Sequence, residues 1–376
     1  MSTTSRNIVA FAGFGPALHV AVETGTAYEL VLTGLAVVDR DGHRRWDAGV
    51  AWRDRARAVD DGTLVRSLDR IARESWVSLL GLAHELDGER SASALVDAID
   101  TLDPVEVVLH LVGAYRRVIR RATPPETIRA AVAGDARAQR EFRRTSFPAL
   151  RDWQATLRWA LGQEPAETRE QLVASLRALA RDVLGPVEGS LADLQLRDAR
   201  IVAELAATTG PETLISSVAP GITYVPEVGQ TEVVLVPDAI VRPSVVVLDH
   251  RASLIVCYPA SADRASAGAP PERLVALGKA IGDETRLRVL RLLADGPLTG
   301  TELAERLGVP RTSLHYHLGL LRAAGLVEVA VDDARYGRLR LRDESLDDVG
   351  RLLAAFVLDE PASASEPARV RRGRAG

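Results

Sequence analysis

The chain has 376 residues, which predicts two or three domains with a substantial core in at least one of them. Its composition, 47% hydrophobic and 26% charged, is typical of a globular protein, and the formal net charge of −4 excludes a uniformly basic surface. No run of about 18 apolar residues occurs, so no membrane-spanning helix is predicted. The single cysteine, Cys257, excludes an intrachain disulfide and a zinc site made of several cysteines.

The first 220 residues have a mainly helical pattern. Residues 1–26 predict a short strand or extended arm, and residues 28–38 predict the first helix. Apolar residues that recur three and four positions apart, as in Leu172, Leu176 and Leu179, are typical of packed helices. Further helices are predicted at residues 64–86, 92–99, 105–121, 125–132, 149–161, 167–184 and 191–207. We therefore expect residues 1–220 to form one multi-helical domain.

The pattern changes to β-branched runs after Pro220. These runs cover residues 231–236, 244–248 and 253–258. They predict a small antiparallel β element within residues 221–260, with a hairpin turn at residues 249–252. Residues 261–270 are rich in Ala, Ser, Gly and Pro, which is typical of a linker.

Two helices joined by a tight turn are predicted within residues 271–345. Thr299 and Glu302 have the spacing of a capping box, which begins a helix that ends at Gly308. Pro310 suits the start of the next helix, because its missing N–H would have no partner there in any case. A helix, a glycine-containing turn and a second helix predict a helix-turn-helix.

The second helix is followed by the pattern of a two-stranded hairpin, or wing, at residues 326–331 and 336–341. The whole stretch resembles the winged helix-turn-helix of the ArsR-type bacterial repressors. The residues that carry the resemblance are Gly282-Asp283-Glu284-Thr285-Arg286-Leu287-Arg288, Leu303-Ala304-Glu305-Arg306-Leu307-Gly308, Ser313-Leu314-His315-Tyr316-His317-Leu318 and Leu320-Leu321-Arg322-Ala323-Ala324-Gly325-Leu326-Val327. The resemblance implies a homodimeric transcription regulator, a repressor, that binds double-stranded DNA.

A recognition helix reads the major groove with the exposed residues of its first turns. Leu314 and Leu318 are predicted to point inward. The outward face then consists of Arg311, Thr312, His315 and Tyr316, with Ser313 at its edge. The resemblance implies that these positions contact DNA, although His315 stands where the family more often has a small hydroxyl residue. On the wing, Arg335 and Arg338 are candidates for phosphate or minor-groove contacts. The alternative is that all of these side chains form only a solvated surface.

The last predicted helix covers residues 346–359, with Val349, Leu352, Leu353 and Phe356 on one side. In the family that the chain resembles, a helix at this position packs against the same helix of the second protomer in a dimer. Residues 360–376 contain four arginines and predict a disordered basic tail.

The winged-helix stretch lacks the side chains of a metal sensor. The helix at residues 299–307 has neither Cys nor His, and the last helix has no His. His315 and His317 are two positions apart, so they diverge by about 200° around a helix and cannot hold one ion together. We expect no metal and no other cofactor. Signatures of nucleophile elbows, phosphate loops and zinc proteases are absent, so no catalytic residue and no enzyme activity is predicted.

The residues that precede the helix-turn-helix allow three hypotheses about their role. One hypothesis is an effector domain, whose small-molecule ligand or protein partner changes the spacing of two recognition helices. The alternatives are a constitutive dimerising scaffold without a ligand, and an enzyme fused to a DNA-binding domain. Five tryptophans are available to line a pocket, although Trp153 and Trp159 have the spacing of core residues.

The sequence thus predicts a mainly α protein. A multi-helical N-terminal domain with a small antiparallel β element is followed by a C-terminal winged helix-turn-helix domain. The apolar segment at residues 8–18 loosely resembles a signal peptide, but Gly13-Phe14-Gly15-Pro16 interrupts it. We therefore expect a cytoplasmic protein that contacts no membrane.

Overall fold

The structure of the chain is a computed structural model. It describes residues 7–10, 19–38, 46, 49–59, 62–207, 209–219, 229–240, 242, 244–261, 272–330, 338–342 and 344–358. The chain divides into an N-terminal unit, Met1–Ala265, and a C-terminal unit, Ser266–Gly376.

A five-stranded mixed sheet runs through the N-terminal unit, in the strand order β1-β2-β3-β5-β4. Its strands are β1 (Asn7–Ala10), β2 (His19–Val22), β3 (Glu232–Asp238), β4 (Val246–His250) and β5 (Ser253–Pro259). The two outer pairs, β1 with β2 and β4 with β5, are antiparallel. The central strand β3 is parallel to both of its neighbours, with Val20 opposite Val233 and Val234 opposite Ile255.

Helices cover both faces of this sheet, which explains why β3 is a continuous run of valine and leucine. Successive side chains of a strand point to opposite faces. Val234 and Val236 accordingly lie in the large core of the unit, whereas Val233 and Leu235 lie in a second, smaller core. The sheet therefore separates two apolar layers.

Thirteen helices of the N-terminal unit lie within the described residues. They are α1 (Thr26–Val38), α2 (Gly49–Ala58), α3 (Thr63–Leu68), α4 (Arg73–His84), α5 (Ala92–Thr101), α6 (Pro104–Leu111), α7 (Arg117–Ala122), α8 (Pro125–Val132), α9 (Ala136–Thr145), α10 (Arg151–Ala160), α11 (Pro165–Ala178), α12 (Glu188–Ala206) and α13 (Pro211–Val218). A π-helical turn, Leu179–Leu184, continues α11. Helix α1 is buried along almost its whole length and packs against α4 in the large core, whereas α12 and α13 contribute to the smaller one.

The helical character of this unit is confirmed, but several predicted boundaries were wrong. The helix predicted at residues 64–86 is two helices, α3 and α4. The helix predicted at residues 105–121 is divided into α6 and α7 by a turn in which Gly113 has a φ of +68°. A Cβ at Gly113 would lie 2.6 Å from Ile119 Cδ1, so glycine is required there for both conformation and space.

Three helices, α2, α9 and α13, were not predicted. Helix α9 shows why, because only Ala138 and Phe142 of its ten residues are buried. Two apolar positions are too few to produce a recognisable helical stripe.

The predicted β element is present but was described incorrectly. The hairpin between β4 and β5 turns at residues 251 and 252, close to its predicted position. The three strands do not form a small antiparallel sheet of their own, because β3 pairs in parallel with β5 and also with β2 near the start of the chain. Alternation within a strand carries no information about pairing with a segment about 200 residues away.

The C-terminal unit has the expected order of a winged helix-turn-helix. Its elements are α14 (Glu272–Ile281), α15 (Glu284–Ala294), β6 (Leu298–Thr299), α16 (Gly300–Leu307), α17 (Arg311–Ala323), β7 (Val327–Ala330), β8 (Arg338–Leu341) and α18 (Glu344–Leu358). The short strand β6, which was not predicted, pairs with β8 and completes a three-stranded sheet with β7.

None of the described helices in either unit combines the length and the apolar character that a membrane span requires. The predicted tail at residues 360–376 lies outside the described residues.

Candidate nucleic-acid interface

The pair α16 and α17 is positioned by local signals at its ends. The backbone N–H of Glu302 donates to Thr299 Oγ1 at 3.2 Å, and the backbone N–H of Thr299 donates to Glu302 Oε2 at 2.7 Å. This is the predicted capping box, and the hydrogen bonds that the backbone N–H and the hydroxyl of Thr299 donate to the Glu302 carboxylate hold the pKa of Glu302 below its usual value. Gly308 ends α16 in the left-handed conformation, with a φ of +67°. Both boundaries of α16 therefore follow from its own residues.

The preceding helix α15 begins in a similar way at Asp283. The backbone N–H of Arg286 donates to Asp283 Oδ1 at 3.0 Å, which lowers the pKa of this carboxyl group. The guanidinium of Arg286 is itself buried and donates to the backbone carbonyls of Ala280 and Lys279, both at 2.7 Å. Arg286 thus satisfies carbonyls at the end of α14, and its charge does not reach the surface.

Helix α17 is amphipathic, with one side in the core of the C-terminal unit. Leu314, Leu318 and Leu321 are buried, and they pack with Leu303 and Leu307 of α16. The prediction that Leu314 and Leu318 point inward is confirmed. The opposite side of α17 is thereby turned toward solvent.

Three of the predicted contact residues on α17, Arg311, Ser313 and His315, are exposed. Tyr316 is also exposed, at 47%, which is unusual for an aromatic side chain. Thr312 lies in the first turn of the helix, but its side chain is outside the described residues. The structure therefore brings Arg311, Ser313, His315 and Tyr316 onto one accessible helix.

His317 has a different environment from its neighbours on α17. Its side chain is only 16% exposed, and Nδ1 lies 3.6 Å from Asp283 Oδ1 at the start of α15. The His317 ring also makes an edge contact with the Tyr316 ring, with 5.6 Å between centroids. His317 thus connects α17 to the start of α15 and supports the orientation of Tyr316.

The described part of the wing consists of β7 and β8. Arg338 is half-buried, and its Nη1 donates to the carbonyl of Pro297 at 3.3 Å. Arg340 forms an ion pair with Glu328 across the hairpin. Arg335, at the predicted tip, lies outside the described residues. Arg338 therefore already makes a contact within its own unit, which sequence reasoning did not anticipate.

The apolar residues of α18 lie within one arc of about 140° but differ in burial. Val349 and Leu352 are half-buried against the core of the C-terminal unit. Leu346, Leu353, Phe356 and Val357 are exposed, at 44%, 51%, 40% and 66%. Val349, Leu352, Leu353 and Phe356 lie on one side of the helix, as the sequence predicts, but the first two are half-buried and the last two are exposed.

Among the residues described in the C-terminal unit, no group of three His, Cys, Asp or Glu side chains lies close enough to share an ion. A group with that spacing lies in the N-terminal unit: Glu85, His110 and His250. Burial lowers the pKa of His110 to about 4 despite the opposing effect of Glu85, so its ring is neutral at pH 7. Burial alone would raise the pKa of Glu85, but hydrogen bonds from His250 and Arg251 lower it to about 2. Sequence reasoning missed this group because its members lie on three distant segments.

The tryptophans of the N-terminal unit are mostly core residues. Trp76 and Trp153 are fully buried, and Trp46 and Trp52 are nearly so. Trp159 differs, since it lines a cavity of about 280 Å³ formed by α3, α10 and α11. Other residues at this cavity include Leu64, Ser67, Arg70, Gln171 and Ser175.

Comparisons with known proteins match part of the chain. A helix-turn-helix domain model matches residues 281–330. The chain is 36% identical over 99 residues to the HTH-type transcriptional regulator CmtR of Mycobacterium tuberculosis, covering 25% of this chain and 83% of CmtR. It is 37% identical over 49 residues to the transcriptional repressor SdpR of Bacillus subtilis, covering 13% of this chain and 54% of SdpR. An uncharacterised HTH-type regulator of Methanocaldococcus jannaschii is 36% identical over 58 residues, which cover 15% of this chain and 65% of that protein. No solved structure matches the chain.

The capped α16, the αL glycine and the half-exposed α17 define a helix-turn-helix DNA-binding protein. With the similarity to CmtR, they establish a DNA-binding transcriptional regulator. The chain belongs to the ArsR-type helix-turn-helix transcriptional regulators, with a large N-terminal extension, and the resemblance seen in the sequence is confirmed.

Proposed function

We propose that this regulator is a homodimeric repressor, which reads the major groove of its operator with α17 and carries an effector domain in its N-terminal unit. The observation that carries the proposal is the exposed surface of α17. Arg311, Ser313, His315 and Tyr316 are accessible on a helix whose Leu314, Leu318 and Leu321 are buried. A helix of this kind fits the width of the major groove.

Each side chain on this surface has chemistry that suits DNA. The fork of Arg311 matches the O6 and N7 acceptors of guanine, and the Ser313 hydroxyl suits a phosphate or a base edge. The Tyr316 ring suits a thymine methyl group, and its hydroxyl suits a phosphate. His315 can donate to a base acceptor, and Thr312 is proposed for the first turn by its position alone. On the wing, Arg335 and Arg338 are proposed as sequence-independent phosphate contacts.

A comparison of specific and non-specific binding tests the role of α17. The operator is first isolated by selection from random duplexes, and affinities are then measured by fluorescence anisotropy at fixed salt. Arg311→Ala should weaken operator binding by about 1–3 kcal/mol and leave binding to random duplex unchanged, because a base contact is lost. Arg288→Ala is the matched control, since Arg288 is an exposed arginine on α15, outside the helix-turn-helix pair. Equal losses on operator and random duplex would remove Arg311 from the base-reading set.

The proposed dimer uses the exposed apolar residues of α18. Leu346, Leu353 and Val357 follow one another at intervals of seven and four residues, so they line one side of the helix. An exposed apolar stripe is typical of a surface that is covered in an oligomer. Two-fold pairing suits an operator with half-sites about 34 Å apart, because both copies of α17 then enter neighbouring major grooves.

Sedimentation equilibrium tests this dimer. Leu353→Glu together with Val357→Glu should shift the mass from twice that of the chain toward that of one chain and weaken operator binding. Arg351→Gln, on the opposite side of α18, is the control and should leave both unchanged. A wild-type chain that is monomeric at micromolar concentration would refute the proposal.

The proposed effector domain rests on the size of the N-terminal unit and on the cavity beside Trp159. A cavity of this volume accommodates a small organic molecule. The competing hypothesis is a constitutive scaffold that needs no ligand. A thermal-shift screen distinguishes the two, because an effector should both stabilise the chain and release operator DNA. Compounds that stabilise the chain without changing operator affinity would favour the scaffold.

A further inference from the structure

Three side chains with metal-binding chemistry meet in the N-terminal unit, far along the chain from the helix-turn-helix. Glu85 directly follows α4, His110 lies in the last turn of α6, and His250 is the last residue of β4. His250 Nε2 lies 2.6 Å from Glu85 Oε1, and His110 Nε2 lies 3.5 Å from Glu85 Oε2. One ligand atom from each of the three residues lies within 4.8 Å of the other two.

The surrounding fold holds both imidazole rings in place. His110 is 3% exposed and His250 is 2% exposed, and their rings stack with 5.6 Å between centroids and 26° between planes. Tyr115 packs against both rings, at 4.5 Å from His110 and 5.8 Å from His250. Gly81 leaves room for His250, because a Cβ on residue 81 would lie 2.4 Å from the imidazole atoms Cε1 and Nδ1. The ligands are thus held in position before any ion arrives.

The separations are close to those around a small metal ion. Bonds of about 2.1 Å to a tetrahedral ion place neighbouring ligand atoms about 3.4 Å apart. The 3.5 Å between His110 and Glu85 already agrees with this spacing, and the 2.6 Å between His250 and Glu85 needs to widen by less than about 1 Å. A change of that size is within reach of the Glu85 side chain, which is 31% exposed.

One further feature distinguishes this group from an ordinary buried ion pair. Glu85 reaches solvent, so an ion held between the rings would retain a position for water. Two imidazoles, one carboxylate and an open position make up the donor set of three-ligand zinc sites.

We propose that Glu85, His110 and His250 bind one divalent transition-metal ion of the zinc class, with water in the remaining position. Imidazole and carboxylate together favour Zn²⁺ and its neighbours over Mg²⁺, which prefers oxygen ligands in octahedral geometry. The site lies outside the winged helix and does not depend on the proposed DNA contacts.

Arg251 occupies the position of a competing cation. Its guanidinium donates to Glu85 Oε1 and lies over the Tyr115 ring, 4.0 Å from the ring centroid. The Arg251 side chain is 51% exposed, so it can turn into solvent when an ion takes over Glu85. Removal of this charge should therefore strengthen metal binding, whereas it should have no such effect on a purely structural ion pair.

Calorimetric titration of the full chain with Zn²⁺, after treatment with a chelator, tests the site. One ion per chain is expected, together with visible absorption from bound Co²⁺ and no uptake of Mg²⁺. His110→Gln and His250→Gln should each weaken Zn²⁺ binding by at least ~10–100-fold, the loss that follows even from removing a partner of a ligand. His19→Gln, which removes an exposed histidine outside the group, is the matched control. A wild-type chain without stoichiometric uptake, or histidine variants that bind like wild type, would overturn the proposal.

A second variant keeps the test decisive if the buried histidines cannot be replaced without loss of folding, which circular dichroism reports. Arg251→Gln should raise Zn²⁺ affinity by up to about fivefold, the effect of one half-exposed ion pair. If the histidine variants do not fold, this increase supports the site and an unchanged affinity overturns it. The measurement needs no DNA, so its outcome is independent of the proposed repressor function.

Discussion

Replacing Gly81 by alanine tests whether the close packing of α4 against β4 contributes to the stability of the N-terminal unit. At a solvent-exposed position in a helix this change stabilises the protein by about 1 kcal/mol, because glycine loses more backbone entropy on folding than alanine does. In this structure the new Cβ would lie 2.4 Å from two atoms of the His250 ring, whereas ordinary contacts are 3.4–4 Å. The ring has little room to withdraw, since it is 2% exposed and stacked on His110.

The two effects have opposite signs, and their sizes decide the outcome. Overpacking of this kind costs about 1–3 kcal/mol, so the net change in the free energy of unfolding should be a destabilisation of up to about 2 kcal/mol. Urea denaturation of the full chain, followed by tryptophan fluorescence, measures it, because four of the five tryptophans are buried in this unit. Gly189→Ala is the matched control: Gly189 is also helical, and a Cβ there would have no atom within 4 Å. That variant should be neutral or more stable by up to about 1 kcal/mol.

The free energies of unfolding of these two variants should therefore differ. If Gly81→Ala and Gly189→Ala are equally stable, the His250 ring can move aside at no cost, and the argument from close packing against α4 is refuted. The same result would weaken the view that the ligand group around His250 is held rigidly by the fold.

Two further predictions concern local interactions. Thr299→Ala should destabilise α16 by about 1 kcal/mol through loss of the capping hydrogen bond, seen as faster hydrogen exchange at the α16 amides, whereas Thr301→Ala in the same helix should not. Burial raises the pKa of Glu74, but Arg116, whose Nη1 donates to Glu74 Oε2 at 2.7 Å, lowers it below its usual 4.5 overall. Because the folded pKa is depressed, this contribution to stability is present above about pH 4.5 and is lost as the pH falls through the folded pKa. The wild-type protein should accordingly have a higher free energy of unfolding than Glu74→Gln at pH 7, and this difference should decrease in acid. A difference that stays constant with pH would contradict a stabilising ion pair between Glu74 and Arg116.

Helix α17 contains both features that its own sequence predicts and features that depend on the fold. Burial of Leu314 and Leu318 was predicted from their spacing, because the apolar residues of an amphipathic helix recur three and four positions apart in the sequence. The contact of His317 with Asp283 could not be predicted, since the crossing of α15 and α17 determines it. The half-burial of Val349 and the exposure of Leu353, on the same side of α18, likewise depend on where the core of the unit lies.

The sequence alone determined the elements of the C-terminal unit and the family to which it belongs. Thr299, Gly308 and the leucines of α17 act on residues within a few positions of themselves, so their effects can be seen without a fold. Only the tertiary structure decided that Val20 pairs with Val233 in a parallel ladder, and that Glu85, His110 and His250 meet. Those contacts join segments far apart in the chain, and their geometry comes from the packing of whole helices and strands, which no local pattern encodes.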